Sequence, residues 1–213
     1  MKRNPQEMWD SEFGEEYTDR NKHTVEEENQ QSEEAYGISK FERLERFLDD
    51  IDRDANVLEV GSNIGIQLMC LKEMGFENLY GIDVQRKAIE EAHQQRPELD
   101  IIEGDALDIP FNDEFFDLVF TSGVLIHIPP DNIDSAMNEI TRCTSEWVYG
   151  TEYYAEEYTE VNYRGHENLL WKTDFPSLFQ ENCGLELVDI EHRQDSTYSE
   201  DTVDVEYLLR KSK

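Results

Sequence analysis

Val57-Leu58-Glu59-Val60-Gly61-Ser62-Asn63-Ile64-Gly65 is the stretch on which the fold of this chain turns. Val57, Leu58 and Val60 form a short apolar run of the kind that makes a buried strand, and Ile64, Leu68 and Leu71 continue at helical spacing. A strand, a glycine turn and a helix in that order bring backbone close to a ligand at the carboxyl end of a parallel sheet, where open α/β folds bind cofactors. A dinucleotide fingerprint, G-x-G-x-x-G, would need glycine at positions 63 and 66, where the chain has Asn63 and Ile66. An acidic residue followed by alternating glycines fits better, as Glu59-x-Gly61-x-Asn63-x-Gly65. Asn in place of the middle glycine keeps the turn, because it tolerates left-handed backbone better than other side chains.

Downstream, the pattern repeats strand, polar tip, helix. Leu79-Tyr80-Gly81-Ile82-Asp83 ends on an acid 22 positions after Gly61. A carboxylate there accepts hydrogen bonds only and can hold both hydroxyls of a ribose; the competing reading is an N-cap for the helix Gln85 to Gln95. Ile101-Ile102-Glu103 precedes Gly104-Asp105-Ala106, where Asp105 is either an acceptor for an adenine amino group or a simple turn residue. Phe116 to Thr121 leads into Ser122-Gly123-Val124-Leu125-Ile126-His127-Ile128-Pro129-Pro130, and a helix with Ile133, Met137 and Ile140 inward follows. Glu146 to Gly150 is a fifth strand. Four consecutive strand-to-helix units define a doubly wound α/β sheet with helices on both faces. Upstream, Ile38, Phe41, Leu44, Leu48 and Ile51 mark an amphipathic helix over 38–51. At the far end, residues 185–190 and 203–209 read as an antiparallel strand pair closing the sheet, after a helix over 175–182. Residues 151–172 carry no sustained period and read as an insert on the acceptor side, with Tyr153, Tyr154, Tyr163 and Arg164 as contacts.

The motif around Gly61 resembles motif I of the class I S-adenosylmethionine-dependent methyltransferases, and residues 55–150 follow that family's order. The resemblance implies a mostly parallel seven-stranded, Rossmann-like sheet and S-adenosyl-L-methionine as cofactor. It places Glu59, Gly61, Ser62, Asn63, Gly65, Asp83, Val84, Asp105, Ala106 and Ser122 at the cofactor. A smaller group, the methylases associated with pseudaminic acid biosynthesis, resembles this chain in Glu16-Tyr17-Thr18-Asp19-Arg20-Asn21, in the Gly61 motif, in Thr121 to Ile128 and in Tyr163-Arg164-Gly165-His166. That likeness implies a sugar-type acceptor, a nonulosonic acid or its precursor. A nucleotide-dependent oxidoreductase and a nonenzymatic adenosyl-binding module are the alternatives.

Methyl transfer from a sulfonium is an in-line displacement in which orientation supplies much of the rate, and a base is needed only if the acceptor must lose a proton. His127 and His166 are the candidate bases, each with a plain structural role as the alternative. Arg164, an arginine among tyrosines, reads as a grip on an acceptor carboxylate or phosphate, or as a salt bridge to Glu152, Glu160 or Glu167. Residues 1–36 form an acidic arm, frayed over about residues 1–8. From Trp9 to Asn21 it is either disordered or a lid carrying Tyr17 and Arg20 over the cofactor, Tyr17 offering an aromatic face to the sulfonium. Residues 37–213 form a single domain.

Composition bounds the partners. Nineteen basic against 50 acidic residues leave a net charge of −31, a surface that repels nucleic acid and anionic lipid. The acids are spread along the whole chain, which favours adaptation to high salt over a cationic partner. Cys70, Cys143 and Cys183 have no metal-ligand spacing and suggest no disulfide framework. No apolar run reads as a leader or a membrane span, so a cytoplasmic protein acting on a small molecule is expected.

Overall fold

A computed structural model describes residues 8–9, 11–197 and 202–212. The frayed end expected over residues 1–8 falls almost wholly outside them.

The strand before the motif, β1 (Asn56–Val60), lies in the middle of the sheet. It pairs in parallel with β2 (Asn78–Asp83) on one side and β4 (Phe116–Ser122) on the other. Then β3 (Asp100–Glu103) pairs with β2, and β5 (Thr144–Tyr153) with β4, both in parallel. β8 (Glu186–Gln194) and β9 (Val203–Arg210) close the sheet, β9 running antiparallel to both β5 and β8. The order is β3-β2-β1-β4-β5-β9-β8. This is the doubly wound sheet with an antiparallel C-terminal pair that the alternation of apolar runs predicts. The chain reverses direction across the sheet between β1 and β4, which opens a crevice at their carboxyl ends.

Helices cover both faces because their apolar stripes match the strands' alternation. On one face α3 (Lys40–Leu48), α4 (Ile66–Glu73) and α5 (Arg86–Gln95) bury Leu44, Phe47, Leu48, Leu68, Leu71, Ile89 and Ala92. On the other, α6 (Pro130–Cys143) and α7 (Phe175–Cys183) bury Ile133, Met137, Ile140, Phe175 and Phe179. Asp174 caps α7 by accepting from the Ser177 N–H at 3.1 Å, and α3 ends at Leu48, a turn before Ile51.

Two stretches differ from the sequence reading. Residues 11–36 carry two helices, α1 (Glu12–Arg20) and α2 (Val25–Tyr36). A reciprocal capping box between Thr24 and Glu27 starts α2. The insert without a period is an antiparallel hairpin, β6 (Thr159–Tyr163) and β7 (His166–Lys172). Its two-residue turn puts Arg164 at φ 51° and Gly165 at φ 84°, the left-handed pair that matches the twist of hairpin strands.

Candidate active site

A cavity of about 340 Å³ opens where the crevice was expected. Its floor is the glycine turn. Gly61 is left-handed at φ 73°, and a Cβ there would come within 2.5 Å of Val124 Cγ2, so only glycine lets the β4 loop close against the turn. Asn63 holds a left-handed φ of 48°. Its own side-chain oxygen takes the Ile64 N–H at 2.9 Å, and its Nδ2 donates to Thr18 Oγ1 at 3.0 Å.

Ten of the twelve expected cofactor contacts line this one cavity: Tyr17, Glu59, Gly61, Ser62, Asn63, Asp83, Val84, Asp105, Ala106 and Ser122. Gly65 and Arg20 do not. Gly65 lies under the turn, where a Cβ would strike Leu99 Cδ1 at 2.7 Å and Ile101 Cδ1 at 2.8 Å, and Arg20 pairs with Glu16 at 3.6 Å along α1.

The carboxylates are held in distinct ways. Asp83 takes the Asn63 N–H on one oxygen and the Gln85 N–H on the other, both at 2.8 Å. It therefore ties two loops together and lines the cavity as well. Burial pushes its carboxyl up, partly offset by these backbone donors. Asp105 accepts the Leu107 N–H at 2.9 Å and closes its own turn. Glu59 is 2% exposed and leaves Oε2 without a partner among the described residues. Desolvation pushes its carboxyl well up, Lys40 opposes this, and Asp83 and Glu28 add to it. A buried carboxylate oxygen with no donor is costly unless a ligand completes it. Ser62 Oγ on the same wall is also without a partner among the described residues.

The roof comes from the N-terminal segment. Trp9 packs edge-on against Phe13, Tyr17 and His127, with centroids 5.3, 5.2 and 4.6 Å apart. Gln85 Nε2 donates to the Trp9 carbonyl at 3.1 Å, and the Thr18 hydroxyl bonds Gln85 Oε1. Gly14 allows this approach, since a Cβ there would overlap the Trp9 carbonyl oxygen. At the mouth Glu28 accepts from His23 at 2.6 Å and from Gln67 at 2.7 Å. Burial would raise its carboxyl, but these bonds and the Lys40 charge bring it down to about 2.

The two histidines separate. His127 lines the cavity; its Nδ1 bonds the Leu169 carbonyl at 2.7 Å, so Nε2 carries the free lone pair. Burial lowers its pKa to about 4, which makes it a weak base. His166 is exposed on β7 and touches Phe13 at 5.3 Å, outside the cavity. Tyr163 packs on His127 at 5.3 Å and on Phe13 at 6.2 Å, behind the roof. Tyr154 packs on His192 at 4.5 Å, and Tyr153 faces a second cavity. Arg164 is exposed at the hairpin tip and lines neither cavity, because the two-residue turn carries it away from the sheet. Trp9 belongs to the aromatic stretch that read as a possible lid, whereas Glu28, Gln85 and Lys40 carried no sequence signal for this site. They meet it through helices whose sequences are mostly charged. The capping box at Thr24 was the legible sign that α2 exists.

A family model described as "Methyltransferase domain" matches residues 58–146. No curated protein matches. Among solved structures, the chain is similar to the 1,6-didemethyltoxoflavin-N1-methyltransferase of Burkholderia thailandensis, solved with 1,6-didemethyltoxoflavin and S-adenosylhomocysteine bound. The TM-score is 0.72 at 16% identity, over 99% of this chain and 92% of that one. It is similar to a putative methyltransferase in complex with the Haloferax volcanii Trm112 activator, with TM-score 0.71, 15% identity and 97% of each chain covered. It is also similar to an S-adenosylmethionine-dependent methyltransferase of Methanosarcina mazei, with TM-score 0.65, 16% identity, and 76% of this chain and 95% of that one covered. At such identities the likeness speaks for the fold, and the matched stretch for the chemistry. The cavity residues fit the donor: an orphaned buried carboxylate oxygen for a cation, a glycine turn for close backbone approach, and acids at the tips of β2 and β3 for a nucleoside. Residues 58–146 match a methyltransferase domain, set in a fold similar to that of solved S-adenosylmethionine-dependent methyltransferases.

Proposed function

We propose that this enzyme methylates a small sugar-type metabolite, a nonulosonic acid such as pseudaminic acid or its precursor. S-adenosylmethionine supplies an electrophilic methyl on a cationic sulfur. Glu59 pairs with its α-ammonium, Asp83 accepts from the ribose hydroxyls, and Asp105 with the Ala106 N–H reads the adenine. Trp9 and Tyr17 offer aromatic faces to the sulfonium, and α1 serves as the lid that excludes water. The observation that carries the sugar reading is the polar character of the space adjoining the cofactor cavity, where Glu152, Asp195 and Asp204 present acceptor-only groups to a ligand rich in hydroxyls. The four segments that resemble the pseudaminic acid-associated methylases support the same class. Arg164, placed at the hairpin tip, is not part of this proposal. An oxidoreductase is not favoured, since positions 63 and 66 lack the required glycines.

The test is transfer of a labelled methyl from S-adenosylmethionine to pseudaminic acid, followed by mass; no transfer to it or to its biosynthetic precursors would defeat the sugar reading. Asp83→Ala is expected to weaken S-adenosylmethionine binding by about 1.5–3 kcal/mol, the value of hydrogen bonds to a charged group. Calorimetry showing wild-type affinity in a folded variant would remove the ribose role. We also propose that the acidity is a salt adaptation of a cytoplasmic protein. With a net charge of −31, the melting temperature should rise as salt goes from about 0.1 to about 2 M, because screening relieves self-repulsion. A flat profile would count against it. Among the described residues no helix is long and apolar enough to cross a membrane.

A further inference from the structure

The second cavity, of about 270 Å³, opens off the first beneath α2 and α3. The two share Tyr17, Glu28, Gln31, Ser122 and Gly123, so what fills one abuts what fills the other. Two cations reach it. Arg43 is engaged: Nε donates to Glu206 Oε2 at 3.0 Å, and its guanidinium lies 4.1 Å from the Tyr36 ring centroid. Lys40, 4% exposed, acts on Glu28, Glu59 and Glu206. Against them stand Glu28, Glu152, Asp195 and Asp204. The Tyr36 hydroxyl donates to Asp204 Oδ2 at 2.7 Å.

Glu152 occupies a singular place. It is 1% exposed, at the carboxyl end of β5, one residue from the strand's last. Its Oε1 takes the Val124 and Leu125 N–H groups, each at 3.2 Å, and its Oε2 the Ile126 N–H at 3.4 Å. Those amides belong to the loop after β4, whose Ser122 and Gly123 form the rim between the cavities. The carboxylate is thus fixed beside the boundary between donor and acceptor space.

We propose that the second cavity is the acceptor site, that it takes a small metabolite rich in O–H and N–H donors, and that Glu152 receives the proton of the attacking hydroxyl. This rests on the methyl-transfer reading above and names the base within it. The acceptor oxygen forms the new C–O bond as the C–S bond breaks. The C–S electron pair returns to sulfur, leaving a neutral thioether, and the hydroxyl proton passes to a Glu152 oxygen and on to solvent. Geometry and basicity agree. Burial pushes the Glu152 carboxyl up to about 7, against hydrogen bonds from Thr121 and from the loop amides that lower it. The charged and titratable groups around it are Tyr207 and Asp204 from β9, Lys40 and Arg43 from α3, Glu28 and Tyr36 from α2, and Asp195. A base poised near the working pH is effective, whereas His127, at about 4, is too weak at neutrality.

Two variants test this, with calorimetric affinity for S-adenosylhomocysteine measured beside methyl transfer. The acceptor probes are pseudaminic acid, N-acetylneuraminic acid and glucosamine, each assayed from acid to alkaline pH. Wild type should methylate at least one probe, with a rate that falls as pH drops through about 7 and Glu152 takes up a proton. Glu152→Gln should lose on the order of 100-fold or more in rate and lose that acidic limb. Ala35→Phe, which fills the cavity from α2, should abolish transfer with S-adenosylhomocysteine affinity unchanged. Wild-type turnover by Ala35→Phe, an intact acidic limb in Glu152→Gln, or a wild type that binds S-adenosylhomocysteine yet methylates no probe would each overturn the proposal. Failure of the wild type to bind S-adenosylhomocysteine at all would instead strike the reading beneath it.

Discussion

Glu206→Gln is expected to lower the melting temperature by roughly 6–20 °C, from a loss of about 3–5 kcal/mol. Glu206 is 1% exposed on β9 and accepts from Arg43 Nε at 3.0 Å, Arg193 Nε at 3.2 Å and the Tyr149 hydroxyl at 2.8 Å. Desolvation alone would raise its carboxyl, but Arg43 beside it brings the net shift down. The amide keeps the shape and removes the charge. Two guanidiniums, one of them 5% exposed, then lose their shared counter-charge, and that uncompensated burial is the costly part. An asymmetry follows. Arg43→Met should cost less, because Arg193 still holds Glu206. The pair Arg43→Met with Glu206→Leu should recover much of the loss. With its folded pKa depressed, Glu206 contributes stability that is present above its unfolded value near 4.5 and is lost as pH falls through the folded value. Denaturant midpoints within about 1 kcal/mol of wild type for Glu206→Gln would show that water reaches this network.

The centre of the sheet was legible because β1 and β4 are buried on both faces. Val57, Leu58 and Val60 are at most 1% exposed, and Glu59 between them is itself buried at 2%. The same holds for α6, where Ile133, Met137 and Ile140 recur at helical spacing and are all buried. The hairpin β6–β7 was not legible, because Glu160, Asn162, Glu167 and Arg164 are exposed and only Leu169, Leu170 and Trp171 are buried. Its turn carries Arg at a left-handed position where Asn-Gly would have announced it. α2 was hidden for a related reason. It buries only Val25, Ser32 and Ala35 in a run of acids and amides, so no apolar stripe appears.

For the site, sequence reasoning found what lies at strand ends and missed what helices deliver from elsewhere. Gly61, Asp83, Asp105 and Ser122 follow apolar runs at the spacing that brings loop tips to one rim, and all four line the cavity. Gly65 was assigned by motif alone, and its role is to let the turn sit on Leu99 and Ile101. Glu152 read only as a salt-bridge partner for Arg164, whereas it is buried and Arg164 is exposed at the hairpin tip. A single acid after a strand is common, and its meaning depends on three backbone amides of a loop some 26–28 residues earlier.

The other large effect concerns Glu59, where stability and binding should move in opposite directions. Its Oε2 has no partner among the described residues, at 2% exposure, near the like charges of Asp83 and Glu28. Its folded pKa is raised, so its contribution to stability is full below the unfolded value near 4.5 and is lost as pH rises through the folded value. Glu59→Gln removes the charge, so the ligand-free variant should melt higher than wild type at alkaline pH, and the gap should shrink as pH falls. Binding should suffer. The only N–H donor cation in S-adenosylmethionine is its α-ammonium, and removing the carboxylate leaves that cation desolvated without a counter-charge. A loss of about 2–5 kcal/mol in affinity is expected, as when one partner of a buried charge pair is removed. Binding to wild type should also release a proton, since the arriving cation pulls the raised carboxyl back to its ionised form. Calorimetry in buffers of different ionisation enthalpy reads that proton directly. It should vanish in Glu59→Gln, and its absence from wild type near neutral pH would mean that the carboxylate is already ionised before the ligand arrives.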